Sequence, residues 1–182
     1  QQPTSIQVIA GQTARFEVVA TGEGPLSYLW VGPDLLPVAG GTSAVLEIPS
    51  VSAANSGIYR VEVRNAVGTV TSDKAQLDVV SPPVFVLEPV DAAFARGSQA
   101  SIEVEALGSN PLHYQWFKES TNALAGETNR LLRWKAVDYE HAGFYSVIVS
   151  NAFGAITSRL AHIEVLEAPA IFGISSDLTV IA

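Results

Sequence analysis

Apolar and polar residues alternate along short stretches of this chain. Ala14, Phe16, Val18 and Ala20 point one way, and Arg15, Glu17 and Val19 the other. Leu26, Tyr28 and Trp30 form a second such set, Leu46 and Ile48 a third, Tyr59, Val61 and Val63 a fourth, and Ala75, Leu77 and Val79 a fifth. A period of two residues is that of a half-buried strand. Gly22, Gly24 and Pro25 break one strand, and Gly32, Pro33, Pro37, Gly40 and Gly41 make a looser connection. Asn65-Ala66-Val67-Gly68 places Asn and Gly for a tight hairpin. No segment keeps a helical period. Short strands separated by turns predict an all-β, antiparallel sandwich.

The pattern then occurs again. Trp30 recurs 86 residues later as Trp116, and Gly11, Pro25, Tyr59 and Gly68 recur as Gly97, Pro111, Tyr145 and Gly154 at the same offset without a gap. A fixed period of this size marks tandem domains. The second copy runs through Ile102, Val104, Ala106, Trp116, Leu132, Trp134, Val137, Tyr145, Val147, Val149, Ile163 and Val165. The expected organisation is one domain over 1–81, a second over 82–168, and over 169–182 the opening strand of a third repeat. That strand is read from Leu178-Thr179-Val180-Ile181-Ala182, which echoes Ile6-Gln7-Val8-Ile9-Ala10. Ser81-Pro82-Pro83 should make a semi-rigid join, because proline restricts φ. Absence of Met predicts that the chain is a processed or excised piece of a longer array.

Two motifs carry a family resemblance. One is the Gly-to-Trp stretch, Gly11 to Trp30 and Gly97 to Trp116. The other is Gly-x-Tyr-x-Val-x-Val-x-Asn-x-x-Gly, from Gly57 to Gly68 and from Gly143 to Gly154. The chain resembles tandem immunoglobulin-like domains of the intermediate-set type, over nearly its whole length. The resemblance implies tyrosine corners at Tyr59 and Tyr145, whose hydroxyls should bond nearby backbone. It also implies a disulfide in each domain, yet those positions hold Val18 with Val61 and Val104 with Val147. Packing on Trp30 and Trp116 must then replace a bridge worth about 2–4 kcal/mol. The family's acidic residue four before the corner Tyr is Asn55 in one repeat and His141 in the other. Pro25-Leu26-Ser27-Tyr28-Leu29-Trp30 and Asn151-Ala152-Phe153-Gly154-Ala155-Ile156-Thr157-Ser158, without Cys, look most like repeats of large bacterial extracellular proteins. Those serve as stalks or adhesive segments, or accompany secreted enzymes.

Charge and chemistry narrow the function further. A net charge of −8 disfavours nucleic acid, whose binding rests on Lys and Arg. No apolar run of about 18 residues is present, so no membrane-inserting helix is expected. Without Cys there is no thiolate metal site. His113, His141 and His162 lie in the second repeat only, without ligand spacing, and read as surface residues. Asp138 and Glu140 read as a solvated turn. Lys74, Lys118 and Lys135 are the only lysines, and none lies on a first strand for an isopeptide bond. No catalytic residue, cofactor or metal is expected, and a duplicated module points away from an enzyme.

A binding or structural role remains. Phe117, Phe144, Ile148 and Leu160 should face outward on the second repeat, and together they would mark a partner surface for a protein or a carbohydrate. Phe153 should pack at the join near Pro82 and Pro83. Val84-Phe85-Val86 should open the second repeat, with no counterpart before Pro3 in the first. A free sheet edge and the spare strand in 169–182 would allow head-to-tail self-association. The expected function is a non-enzymatic spacer and adhesion segment, extracellular or at the cell surface. The alternatives are a ligand-binding module accompanying a secreted enzyme and a cytosolic muscle-type array.

Overall fold

In the computed structural model, which describes residues 1–169, the period-two stretches are strands. One unit spans Gln1–Pro82 and another begins at Pro83. In the first, the strands are β1 (Ile6–Ile9), β2 (Ala14–Glu17), β3 (Ser27–Val31), β4 (Val45–Ile48), β5 (Gly57–Arg64), β6 (Thr69–Thr71) and β7 (Ala75–Val80). One sheet has the order β1-β7-β5-β3 with β6 on β5, and β2 pairs with β4 in the other. In the second unit the strands are β8 (Val84–Leu87), β9 (Ala92–Ala95), β10 (Ala100–Glu103), β11 (Glu105–Leu107), β12 (His113–Lys118), β13 (Asn122–Ala123), β14 (Leu131–Trp134), β15 (Gly143–Asn151), β16 (Gly154–Thr157) and β17 (Ala161–Leu166). Its main sheet runs β13-β12-β15-β17-β9 with β16 on β15, while β10 pairs with β14 and β11 with β8.

One pair in each unit departs from the antiparallel expectation: β1 runs parallel to β7, and β9 parallel to β17. The chain leaves β1 at a turn and crosses to the opposite sheet, so its opening strand can lie alongside its last. Gly11 and Gly97 make that turn at φ +87° and +82°, where a Cβ is disfavoured. Their N–H groups donate to Val51 and Val137 carbonyls at 2.7 Å in both units. The opening strand before the turn also has a counterpart in the first unit. Gln1 and Val19 exchange both backbone hydrogen bonds, in the register where Leu87 meets Glu105.

Each core closes around its tryptophan. Trp30 and Trp116 are wholly buried, and their indole N–H groups donate to the Ser43 and Asn129 carbonyls at 2.9 and 2.8 Å. Val18, Val61, Val104 and Val147 are all buried in the same clusters. Burying one such side chain contributes about 1.5–3 kcal/mol. A valine pair therefore supplies stabilisation of the same order as the missing bridge.

The two cores reach the same filling by different routes. Phe16 in the first unit stacks on Tyr59, with centroids 5.2 Å apart. Ile102 takes its place in the second unit, and the aromatic ring moves to Trp134, where the first unit has Ile48. Trp134 meets Tyr145 edge-on at 5.3 Å and lies opposite Ala100 in the β10–β14 ladder. Large and small have exchanged strands at nearly conserved volume, a change that cores tolerate well. Trp134 is consequently only half-buried.

Both tyrosine corners are formed. Tyr59 donates to the Asn55 carbonyl at 2.8 Å, and Tyr145 to the His141 carbonyl at 2.9 Å. The side chains of Asn55 and His141 accept from the Ser52 and Asp138 N–H groups, so they tie the turn before each corner. Burial, with help from the Glu119 carboxylate, pushes the Tyr145 hydroxyl up to about 12 from its ordinary 10.0. The folded state thus holds the neutral phenol, and its contribution is complete below pH 10 and lost as pH rises towards 12. Denaturant midpoints of the second unit should fall across that window. In Tyr145→Phe they should be lower at neutral pH, by about 1 kcal/mol for the lost hydrogen bond, and flatter through the window. An equally steep fall in the variant would assign the alkaline loss elsewhere.

The expected third-repeat strand, and with it the head-to-tail pairing, falls in residues 170–182, outside the described residues.

Candidate functional site

Along β12 and β15 the side chains divide between two faces. Tyr114 and Trp116, with Tyr145, Val147 and Val149, face the core. The alternate set lies outside: Gln115 opposite Ile148, and Phe117 opposite Ser146. Phe144 sits opposite His162 of β17, their rings 4.8 Å apart. Phe117 is therefore the diagonal neighbour of both Phe144 and Ile148 on one face, within reach for long side chains. Leu160 lies outside the ladder, two residues before His162. Phe144 and Leu160 are 44% and 47% exposed, while Phe117 and Ile148 are half-buried.

Ser146 shows that this face is packed. It stands in the outer row yet is only 4% exposed. Gln115 turns its amide onto the carbonyls of Trp116 and Leu124, while His113 and His162 stand exposed in the same outer rows. The equivalent positions of the first unit carry Arg60, Glu62 and Arg64 at the Ser146, Ile148 and Ser150 places. At the four patch positions the first unit has Val31, Ile58, Glu62 and Lys74, so two of the four are charged there, where the second unit has Phe117, Phe144, Ile148 and Leu160.

Other predicted residues fall elsewhere. Phe153 is half-buried in the β15–β16 hairpin, where its N–H donates to the Asn151 side chain at 2.9 Å. Its counterpart Val67 is 84% exposed. Pro82 ends the first unit and Pro83 begins the second. Asp138 and Glu140 do sit at a turn, but Asp138 also joins a cluster that the sequence pattern does not reveal. Arg96 bonds Asp138 at 3.1 Å and Glu167 at 3.2 Å, and its guanidinium lies 4.8 Å from the Tyr139 ring centre. The Tyr139 N–H, then Arg96, holds the Asp138 carboxyl below its usual range. The Tyr139 hydroxyl, then Arg96, does the same for Glu167. Arg96, the adjacent pair Asp138 and Tyr139, and Glu167 come from three stretches far apart in sequence, and the parallel β9–β17 pair is what brings Arg96 to Glu167. A second feature beyond the reach of the pattern is the loop tip Leu35-Leu36, 71% and 61% exposed, with Leu35 at φ +64°. Among the described residues no helix is long and apolar enough to cross a membrane.

Twin sandwiches with buried tryptophans and tyrosine corners define a class. Residues 1–79 match the immunoglobulin I-set domain, and residues 82–151 match the immunoglobulin domain. The chain is a tandem pair of immunoglobulin-like domains. It is 28% identical over 178 residues to contactin-5 of Rattus norvegicus, covering 93% of this chain and 16% of that protein. It is also 28% identical over 176 residues to the cell adhesion molecule Dscam1 of Drosophila melanogaster, covering 84% of this chain and 8% of that protein. The chain thus spans less than a fifth of these relatives. Among solved structures, the I-band fragment I67-I69 of titin matches with a TM-score of 0.66 at 22% identity, covering 91% of this chain and 64% of that one. At that identity the likeness concerns the fold.

The bacterial resemblance is not supported, because these relatives are animal proteins. The motif behind it has a structural cause instead. Asn65 accepts from the N–H groups of Val67 and Gly68, each at 3.0 Å, and donates to the Glu23 carbonyl. Ser72 and Ser158 hydroxyls accept from Val61 and Val147 N–H groups at 3.0 Å. The Asn and Ser of the motif are thus engaged in hydrogen bonds that hold the hairpin to its sandwich.

Proposed function

We propose that this pair is a non-enzymatic adhesion and spacing segment of a longer extracellular or cell-surface protein. Its second unit presents the Phe117, Phe144, Ile148 and Leu160 face to a protein partner. The observation that carries the reading is the grouping of Phe117 with Phe144 and Ile148 as diagonal neighbours on one outer face, where the first unit has Glu62 in place of Ile148 and Lys74 in place of Leu160. Exposed apolar surface of this kind is a feature of interaction sites. Likeness to a protein named as a cell adhesion molecule supports the same reading.

A second reading is a spacer whose function is length, and tandem repetition itself favours it. Binding of the whole chain to arrayed matrix proteins and glycans separates the two. Under the first reading, a specific hit weakens at least about tenfold in Phe117→Asp/Ile148→Asp, as loss of a central apolar contact would require. Circular dichroism should show that variant folded. Hits that survive the double change would remove this face from the account. A blank screen with folded wild type would favour the spacer.

A further inference from the structure

We infer that the second unit holds a separate site for an acidic saccharide, in the cleft between β9, the start of β10 and the end of β14. The cleft has a volume of about 680 Å³ and is lined by Phe94, Gln99, Ser101, Arg133, Trp134 and Lys135. This is within the range of small-ligand sites, which combine apolar walls with a few placed polar groups.

The cleft follows from the exchange of core aromatics. Trp134 stands opposite Ala100 rather than a large residue, and Phe94 lies 6.4 Å from it, centroid to centroid. Edge contacts with Tyr145 and His141 hold the indole in place. In the first unit the same six positions are Val8, Thr13, Arg15, Glu47, Ile48 and Pro49. There the one cation, Arg15, is met by Glu17 and Glu47, and no ring is present.

Charge singles out the cleft again. The second unit has six Lys and Arg residues. Arg96, Arg130 and Arg159 have carboxylate partners, and Lys118 bonds the Glu140 carbonyl. Among the described residues the side chains of Arg133 and Lys135 have neither ion pair nor hydrogen bond, and both residues line this cleft. The cleft thus sets two cations without a carboxylate partner beside two half-buried rings.

The set of groups specifies the ligand class. Arg presents a planar fork to a carboxylate or sulfate, and Lys a point charge. The rings offer a flat apolar surface to the C–H face of a pyranose. Gln99 and Ser101 can meet hydroxyl groups. An acidic sugar carries an anion, an apolar face and a hydroxyl rim on one rigid ring, whereas an acidic peptide supplies only the anion.

The test uses the full chain, titrated by calorimetry and by amide chemical shifts. The probes are an unsulfated uronate disaccharide, a sulfated one, a neutral disaccharide and a tetraglutamate peptide. At least one acidic disaccharide should bind, more weakly at high salt. Preference for the unsulfated probe assigns the anion as carboxylate, and preference for the sulfated one as sulfate. Affinity should fall about tenfold or more in Arg133→Gln/Lys135→Gln, the size of one lost charge-assisted contact. Trp134→Ile should weaken it similarly, and Ile102→Phe/Trp134→Ile restores the first unit's combination of Phe16 with Ile48 should the single change leave a cavity. The exposed-charge variant keeps the test open should Trp134→Ile unfold. Silence from both acidic sugars, equal binding of the neutral one, preference for the peptide, or binding unchanged in Arg133→Gln/Lys135→Gln would each overturn the assignment.

Discussion

Trp116→Ala lowers the stability of the second unit by about 3–5 kcal/mol, the usual result of truncating a large buried aromatic. The ring is wholly enclosed, between strands that also contribute Val104, Val147, Leu132 and Ile163. Truncation removes its contacts, leaves a cavity and strands the Asn129 carbonyl that the indole satisfies. Nothing covalent compensates, because the chain has no Cys. A domain of this size has a net stability of roughly 4–13 kcal/mol, at about 0.05–0.15 kcal/mol per residue. The loss is thus a large share of the whole. At roughly 4–8 °C per kcal/mol for a small domain, the midpoint should fall by about 12 °C or more. Indole N–H proton resonances followed by NMR on heating can track the units separately. Trp30 reports on the first and should be unmoved, while Trp134 reports on the second. A fall below about 1 kcal/mol would mean that the valine pair, not the indole, organises the core.

Gly57→Ala destabilises the first unit by about 2–4 kcal/mol, and Gly143→Ala the second by less, although they are the same position in the repeat. Both glycines have φ far into the positive region, +143° and +136°, a conformation whose backbone strain in other residues is about 1–3 kcal/mol. The neighbours differ. A Cβ at Gly57 would come within 2.7 Å of Pro33 Cβ and 2.8 Å of its Cγ, and a proline ring cannot turn aside. A Cβ at Gly143 would meet the Glu119 carboxylate and the end of Lys118, both able to rotate away. The rigid neighbour adds an overpacking cost of about 1–3 kcal/mol that the flexible one relaxes. Urea midpoints of the two single variants measure the difference. Equal losses would show that backbone strain alone decides, and that Pro33 yields.

Features carried by residues near in sequence, or fixed by a period, are legible from the chain alone. Alternation exposes the strands. The constant offset of 86 residues exposes the repeat, and the Gly-x-Tyr run marks the corners. Outward placement of Phe117 and Ile148 follows from the period of two, since Trp116 and Val147 between them face the core. What alternation lacks is depth. Ser146 stands in the same outer row and is buried, because its cover comes from neighbouring strands.

The Asn-x-x-Gly-x-x-Thr-Ser run looks like a sign of lineage, whereas its side chains are used up within the hairpin. A motif shaped by local hydrogen bonding says little about which organisms carry it.

By itself, the sequence determined that this protein is two copies of an all-β module, each with one buried Trp, a corner Tyr and valines in place of a disulfide. Those features depend on short-range periodicity and on backbone conformations that particular residues impose. Only the tertiary structure decided how distant strands pair. The parallel β9–β17 ladder brings Arg96 to Glu167, and the exchange of Phe16 for Trp134 opens a cleft beside Arg133 and Lys135. Packing between sheets depends on total volume and on which strand supplies it, and no local pattern along one chain encodes that sum.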